Sequence, residues 1–518
     1  MALAATCVWQ IEAGGDANAG GAFDPVSGTP GTDYTYGAGQ ALTTWLPAAG
    51  TYTNDLAATD ASPSVLSSAS YNFVAADVGN VINLTAGTNL TTGRYQIMSV
   101  AANVATLDRN CSSGGAVSAT SGYLGGACTL VDAVLEARVA DNVCWVDSDA
   151  AHTLAANLAL GTVGATSAPV VMIGYTGDRV EATGDDRPLV DCGTSYNVSL
   201  GAYEHWRNFR FIGEVTKTVD CGNLCVIENC DIRNDSGSSG RIALFAATGC
   251  AIVNCDIRSD NGYAISMDGS ANQFVRCYIH GSDYGINIWK ASTKFIHNVV
   301  DTCVVGVILD ASAQNVFGNT FYGCTTGLDC NIGTDYGVMM FNIFANNTTA
   351  VDPSTDVDGL LLVDYNNWWS NTDDISGAGS ATKGPHALAL DPTWNVLDWT
   401  DLACADHTGP TYTLTSATGG FNNLKAGDWL RITDTGTGGH FVEGTYTIYS
   451  ISSDTSLELT ADPTDGTNET AGDGQYRDFR PGPNMFISLD MGSGTTKSDF
   501  FTIGALPGRY TVTSVSGG

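Results

Sequence analysis

Between residues 208 and 367 the chain repeats one short arrangement of apolar and polar positions. The segments NCDIR (229–233), NCDIR (254–258), RCYIH (276–280), HNVVD (297–301), GNTFY (318–322) and FNIFA (341–345) follow one another at near-constant distance. With the Asn or Cys of each as marker, the series is Asn208, Cys230, Cys255, Cys277, Asn298, Asn319, Asn342 and Asn367. The intervals are 22, 25, 22, 21, 21, 23 and 25 residues. So short a period, built of strand-like runs without helical patterning, predicts a β-solenoid. Two residues past the markers, Ile232, Ile257, Ile279, Val300, Phe321 and Phe344 form an apolar column expected inside. Their neighbours should alternate outward, as strand geometry requires. A second strand in each period opens on Gly262, Gly285, Gly306 or Gly327. After these glycines, Tyr263, Ile286, Val307 and Leu328, then Ile265, Ile288, Leu309 and Cys330, are also expected to point inward. Seven rungs span roughly 30–35 Å at the usual strand spacing, and weaker runs at 170–175 and 188–193 extend them upstream.

This ladder resembles the right-handed parallel β-helix proteins of the pectin-lyase-like type. TLVDAVLEARV (129–139) reads as a short amphipathic cap helix and DNVCWVDSDAAHTL (141–154) as a first coil. LDPTW (390–394) and DFRPGPN (478–484) are similar to closing turns of such solenoids. The resemblance covers about residues 126–395 and specifies fold rather than activity. The family spans polysaccharide lyases and hydrolases, adhesins and phage tailspikes, so fold alone does not choose among them.

A second repeat lies outside the ladder. GRYQIMSV (93–100), GTYTIYSI (444–451) and GRYTVTSV (508–515) share one pattern. The first two matches extend to DVGNVINL (77–84) against KAGDWLRI (425–432), and to VATL (104–107) against SLEL (456–459). The expected fold class is therefore all-β, a single-stranded parallel β-helix interrupted or flanked by small antiparallel β-modules. The corresponding division is an opening strand and loop-rich segment (1–54), a first module (55–120), the β-helix (121–400), a second module (401–475) and a closing turn with a partial module (476–518). CVWQIEAGGD near the start reads as a solenoid strand separated from its continuation by the first module. An incomplete sheet at the end invites strand addition. Tyr510, Val512 and Val515 are its assembly candidates.

Composition narrows the partners. The 518 residues carry 21 Lys and Arg against 54 Asp and Glu, a formal charge of −33. Without clustered cations the chain is not expected to bind nucleic acid. No run approaches the ~18 apolar residues of a membrane helix, and no basic, signal-like start is visible. Fifteen cysteines, an odd number without a CxxC pair, disfavour a complete disulfide framework and a zinc ribbon. They are expected to be reduced, buried fillers of the solenoid, as suits assembly in a host cytoplasm.

The chemistry should sit on outward positions. Arg233, Arg258, His280, Asp301 and Tyr322, with Asp231, Asp256 and Tyr278 beside them, form one polar strip. Asn287, Asp329, Trp289 and Asp310 line the second strand. Aromatic rings and polar groups in this setting suit glycan contact, with Arg233, Arg258, Tyr278, His280, Asn287, Trp289, Asp310, Tyr322 and Asp329 as candidates. Asp231, Asp256 and Asp301 are weak candidates for catalysis, since glycoside hydrolysis needs two carboxyls about 5–9.5 Å apart. The alternative for Asp231, Arg233, Asp256 and Arg258 is an ordinary set of surface ion pairs. No nucleophile elbow, HExxH or P-loop occurs, and no motif indicates a cofactor or a structural cation. The resulting expectation is a bacteriophage virion surface protein (tailspike, fibre or capsid decoration), trimeric by resemblance, contacting other virion proteins and host surface polysaccharide. A polysaccharide-degrading hydrolase or lyase and a bacterial surface adhesin are the alternatives.

Overall fold

The computed structural model describes residues 8–11, 13, 51–78, 81–125, 129–130, 140, 142–148, 150–176, 180–182, 186–310, 314–330, 337–353, 361–376, 382–389, 392, 395–405, 411–424, 426, 429–433, 436–442, 444–478, 500–501 and 510–511. Of the expected cap helix only Thr129 and Leu130 fall among them, and of DFRPGPN only Asp478. Val512 and Val515 lie outside them, as do Leu390, Asp391, Thr393 and Trp394 of the expected closing turn.

Each coil of the solenoid contributes three short strands to three parallel sheets. In one coil these are Val226–Glu228, Asp231–Asn234 and Arg241–Ala246, and in the next Ala251–Val253, Asp256–Ser259 and Gly262–Met267. Successive coils pair in register, as in Asp231 opposite Asp256 and Ile232 opposite Ile257. The second and third sheets have ten strands each. The first sheet begins with Val8–Ile11, which pairs in parallel with Val143–Asp147 although more than a hundred residues separate them in sequence. The runs at 170–175 and 188–193 take their places as Val170–Thr176 in the first sheet and Leu189–Asp191 in the second.

The interior is a set of stacked columns. Ile227, Ile252, Phe274 and Phe295 fill it from the first sheet, Ile232 through Phe344 from the second, and Leu244, Ile265, Ile286, Val307 and Leu328 from the third, all fully buried. The first of these columns carries no Asn or Cys marker of its own in the sequence ladder. Register also corrects the second-strand reading. Tyr263 pairs with Tyr284, and Ile265 with Ile286, so Tyr263 is not in the inward column of Ile286. Gly262 opposes Arg241, which leaves Gly285, Gly306 and Gly327 as the true glycine column. A Cβ on these three would stand 2.3, 2.5 and 2.7 Å from a carbonyl oxygen of the next coil, so only glycine fits the unshifted backbone.

The first and second sheets join through a single left-handed residue. Asn208, Asn229, Asn254, Arg276, His297, Gly318, Phe341 and Tyr365 occupy this turn with φ between 53° and 68°. The next residue turns inward, and it is the marker of the ladder. Asn208 and Asn367 therefore shift by one place: the inward column reads Phe209, Cys230, Cys255, Cys277, Asn298, Asn319, Asn342 and Asn366. Both adjacent positions favour asparagine, one because it tolerates the left-handed region and one for its amide, and that caused the slip. Asn298, Asn319, Asn342 and Asn366 donate Nδ2–H to the carbonyls of Phe274, Phe295, Val316 and Met339 at 2.8–3.0 Å. Cys230, Cys255 and Cys277 direct their thiols at the equivalent carbonyls of Trp206, Ile227 and Ile252 at 3.5–3.8 Å. One column of buried acceptors is thus met by thiols in some coils and amides in others.

The two modules are closed six-stranded barrels, one from Thr51 to Leu124 and one from Asn395 to Asp478. Corresponding residues do corresponding work. Phe73 and Phe421, and Ile97 and Ile448, are buried in their respective cores. Tyr95 donates its hydroxyl to the Thr91 carbonyl at 2.6 Å, and Tyr446 to the Val442 carbonyl at 2.7 Å. A register shift follows Ile97 in one barrel and Ile448 in the other. The hairpin of each aligns Ile82 with Tyr95 and Leu430 with Tyr446. Phe501 pairs antiparallel with Tyr510 of the third sequence match.

Candidate functional site

Two outward faces carry the candidates, and they are not one strip. Arg233, Arg258, Tyr278, His280, Asp301 and Tyr322 project from the second sheet, with Asp231 and Asp256 alongside. Asn287 and Asp329 lie on the third sheet, and Trp289 and Asp310 follow its strands directly.

The second-sheet face is closed by its own pairing. Arg233 donates Nε–H and Nη2–H to the two oxygens of Asp231 at 3.0 and 2.6 Å, a bidentate pair with both side chains 4% exposed. Burial alone would raise the Asp231 carboxyl, but the Arg233 guanidinium overrides it and holds the group below the ordinary carboxylate range. Asp256 holds the Nε2 of His280 at 2.7 Å. Tyr278 stacks on His280 at 4.5 Å and donates its hydroxyl to Asp301 at 2.6 Å. Arg258 reaches Asp235 at 3.2 Å. His280 is nearly buried and Asp301 wholly so, and Thr320 and Ile343 further along the same face are also buried. Each carboxylate proposed for catalysis thus has a designated partner: Arg233 for Asp231, His280 for Asp256 and Tyr278 for Asp301.

The third-sheet face is half open. Tyr263 and Tyr284 stack at 4.6 Å with 17° between their planes, so their edges and hydroxyls rather than their faces are presented. Lys217 lies 3.4 Å above the Phe245 ring and 3.1 Å from Asp220. Trp289, 43% exposed, donates its indole N–H to the Met267 carbonyl and is covered on one side by Lys290. Asp329 opposes Asp352 across the coil boundary. Burial raises its carboxyl, and Asp352 and Asp310 add to the shift. The Tyr263 hydroxyl is raised by burial, then by Tyr284 and Asp310, which places that acid within electrostatic reach of the ring pair.

Periodicity does not reveal Tyr263, Tyr284 or Asp352, and the glycine spacing places Tyr263 two residues from its real register. A run of rings also lies beside the one-residue turn: Phe317, Phe341, Tyr365 and His386, spaced 4.9, 5.2 and 4.2 Å. Phe341, Tyr365 and His386 stack face to face, Phe317 is tilted against Phe341, and Asp364 anchors the last ring by holding His386 Nδ1 at 2.9 Å. Trp368 is buried and Trp369 half-buried on the second sheet. Among the described residues no group of three or more His, Cys, Asp or Glu is arranged to hold a metal ion, and no helix is long and apolar enough to cross a membrane.

Residues 215–371 match the family described as the right-handed beta helix region. No curated protein matches the chain. Among solved structures, a pectate lyase is similar at 13% identity over 52% of this chain and 78% of that one, with a TM-score of 0.38. An alginate lyase from Paenibacillus sp. str. FPU-7 shares 12% identity over 48% of this chain and 91% of that one, with a TM-score of 0.29. A tailspike protein double mutant of E. coli bacteriophage HK620 shares 9% over 65% and 86%, with a TM-score of 0.30. The protein is thus of the right-handed parallel β-helix class, an assignment that rests on the strand pairings and the family match.

Proposed function

We propose that the chain is a bacteriophage virion surface protein whose β-helix is a rigid shaft, and whose third-sheet face contacts a host surface polysaccharide without cleaving it. The observation that carries glycan contact is the contrast in access. Trp289 and Asp310 are exposed and Tyr263, Tyr284, Asn287 and Asp329 half-buried, whereas Asp231, Arg233, His280 and Asp301 of the second-sheet face are buried and its half-buried Asp256 and Arg258 are paired with His280 and Asp235. Hydroxyl edges, an amide and carboxylates are the groups that hydrogen-bond sugar hydroxyls, and Trp289 has apolar surface to offer a pyranose ring. The duplicated barrels supply the compact attachment modules that a virion component needs, and a homotrimer is the assembly we favour.

The test is incubation with capsular or extracellular polysaccharide from the host, followed by measurement of retention and of polymer chain length. Retained polymer of unchanged length is the expected result. Absence of retention overturns glycan contact. Shortened polymer favours a second reading, polysaccharide hydrolysis, which draws on one observation: Asp329 is held towards its protonated form beside Asp310 and Asp352. Loss of that shortening in Asp329→Asn would establish it.

A further inference from the structure

All thirteen described cysteines are buried. Several stand against one another across successive coils. Cys225 and Cys250, Cys230 and Cys255, Cys255 and Cys277, and Cys303 and Cys324 are neighbours in successive coils, with their thiols directed at backbone carbonyls. Each pair joins in-register neighbours on paired strands or at the corner beside them: Val226 opposes Ala251, Asp231 opposes Asp256, Asp256 opposes Tyr278, and Val305 opposes Thr326. In-register parallel neighbours have Cα atoms about 4.8 Å apart, inside the range a disulfide spans. The same corner in later coils carries Asn347, whose amide hydrogen-bonds Phe321 and Asn371, so the cysteine contacts are one of two chemical versions of the coil junction.

We infer that these contacts are latent inter-coil staples: the solenoid folds with them reduced, and a disulfide oxidant admitted when coils open joins Cys225 to Cys250, Cys303 to Cys324, and Cys255 to either Cys230 or Cys277. Exchange needs a thiolate that the oxidant can reach. In the closed solenoid burial denies the oxidant access, and it holds the thiols of Cys230 and Cys255 well above their ordinary range. In an opened coil, one protein thiolate attacks a sulfur of oxidised glutathione, breaking its S–S bond and releasing one glutathione thiolate. The neighbouring protein thiolate then attacks the protein sulfur of the mixed disulfide and releases the second. Two protein thiols are oxidised, one glutathione disulfide is reduced to two thiols, and the two protons pass to solvent or the leaving thiolates. Because each staple closes a loop of one coil, it restricts the unfolded chain and stiffens the shaft.

The experiment incubates the folded full chain with oxidised glutathione, with and without sub-denaturing urea, alkylates the remaining thiols and maps peptides without reduction. We expect unmodified thiols in the absence of urea, and the Cys225–Cys250 and Cys303–Cys324 bonds in its presence. The thermal midpoint should then rise by about 5–10 °C, reversibly on adding reductant. Cys225→Ala should abolish the first bond and leave the second. Alkylated thiols throughout, glutathione adducts alone, or bonds between coils that are not neighbours would each overturn the inference. These readouts do not depend on glycan retention, so either reading can fail without the other.

Discussion

The second and third sheets belong to the same coils and have the same strand geometry, yet their outward faces are opposite in character. On the second, Arg233 meets Asp231 in a buried pair and His280 meets Asp256 of the preceding coil. On the third, Asp310, Asp329 and Asp352 stand together without a neutralising arginine among the residues that shift Asp329, and the face stays open. A polar outward strip is therefore not in itself a site. What matters is whether its charges are already spent on one another: on the third sheet Lys217 pairs with Asp220 and Lys290 with Asp268, while Asp329 faces a second carboxylate, Asp352.

The largest test of this contrast removes Arg233. Arg233→Ala strands the buried Asp231 carboxylate and should cost about 3–5 kcal/mol in chemical denaturation. Asn287→Ala on the open face should stay within about 0.5 kcal/mol, and similar costs for the two would break the comparison. Tyr278→Phe is smaller. It withdraws the hydroxyl donor from Asp301 and should cost about 1–3 kcal/mol, read from the same denaturation midpoint.

On the third sheet, Tyr284→Ala should cost no more than about 1 kcal/mol of stability while reducing retention of the polysaccharide. Retained binding at wild-type strength would move the contact surface elsewhere. The smallest effect is one of sign. Asp231 has a depressed folded pKa, so its contribution is present above the ordinary carboxylate value and lost as pH falls through the lower folded one. Asp329 is raised, so ionisation penalises the fold and acid relieves it. Asp329→Asn should therefore lift the denaturation midpoint slightly at neutral pH and leave it unchanged in acid. A lowered midpoint at neutral pH would mean that Asp329 is held as a useful anion.

Much of the architecture was legible because the solenoid writes its inside in columns. Ile232 to Phe344 announced one sheet, and the glycines announced another. Legibility failed where two adjacent positions prefer the same residue, as at Asn208 and Asn366, and where a strand carries no marker residue, as at Val226–Glu228. The candidate site was half legible. Alternation identified Arg233 and His280 as outward, but whether an outward side chain meets water depends on burial and pairing that no periodicity encodes. Tyr263 and Tyr284 became visible only once the register was known.

The amide ladder has a last consequence, for how such a shaft can be lengthened. Asn319 accepts at Oδ1 from the Asn298 N–H and Asn342 from the Asn319 N–H, so each coil is pinned to the next at one corner. Segments elsewhere in the coil absorb the variation in repeat length, as where Asp235–Gly240 separates strands that lie far closer in the next coil. Whole coils can be spliced in between two such pins, and long excursions tolerated away from them, whereas a one-residue insertion beside an asparagine would unseat every coil above it. The protein is in that sense a ruler with fixed graduations and freely extensible margins.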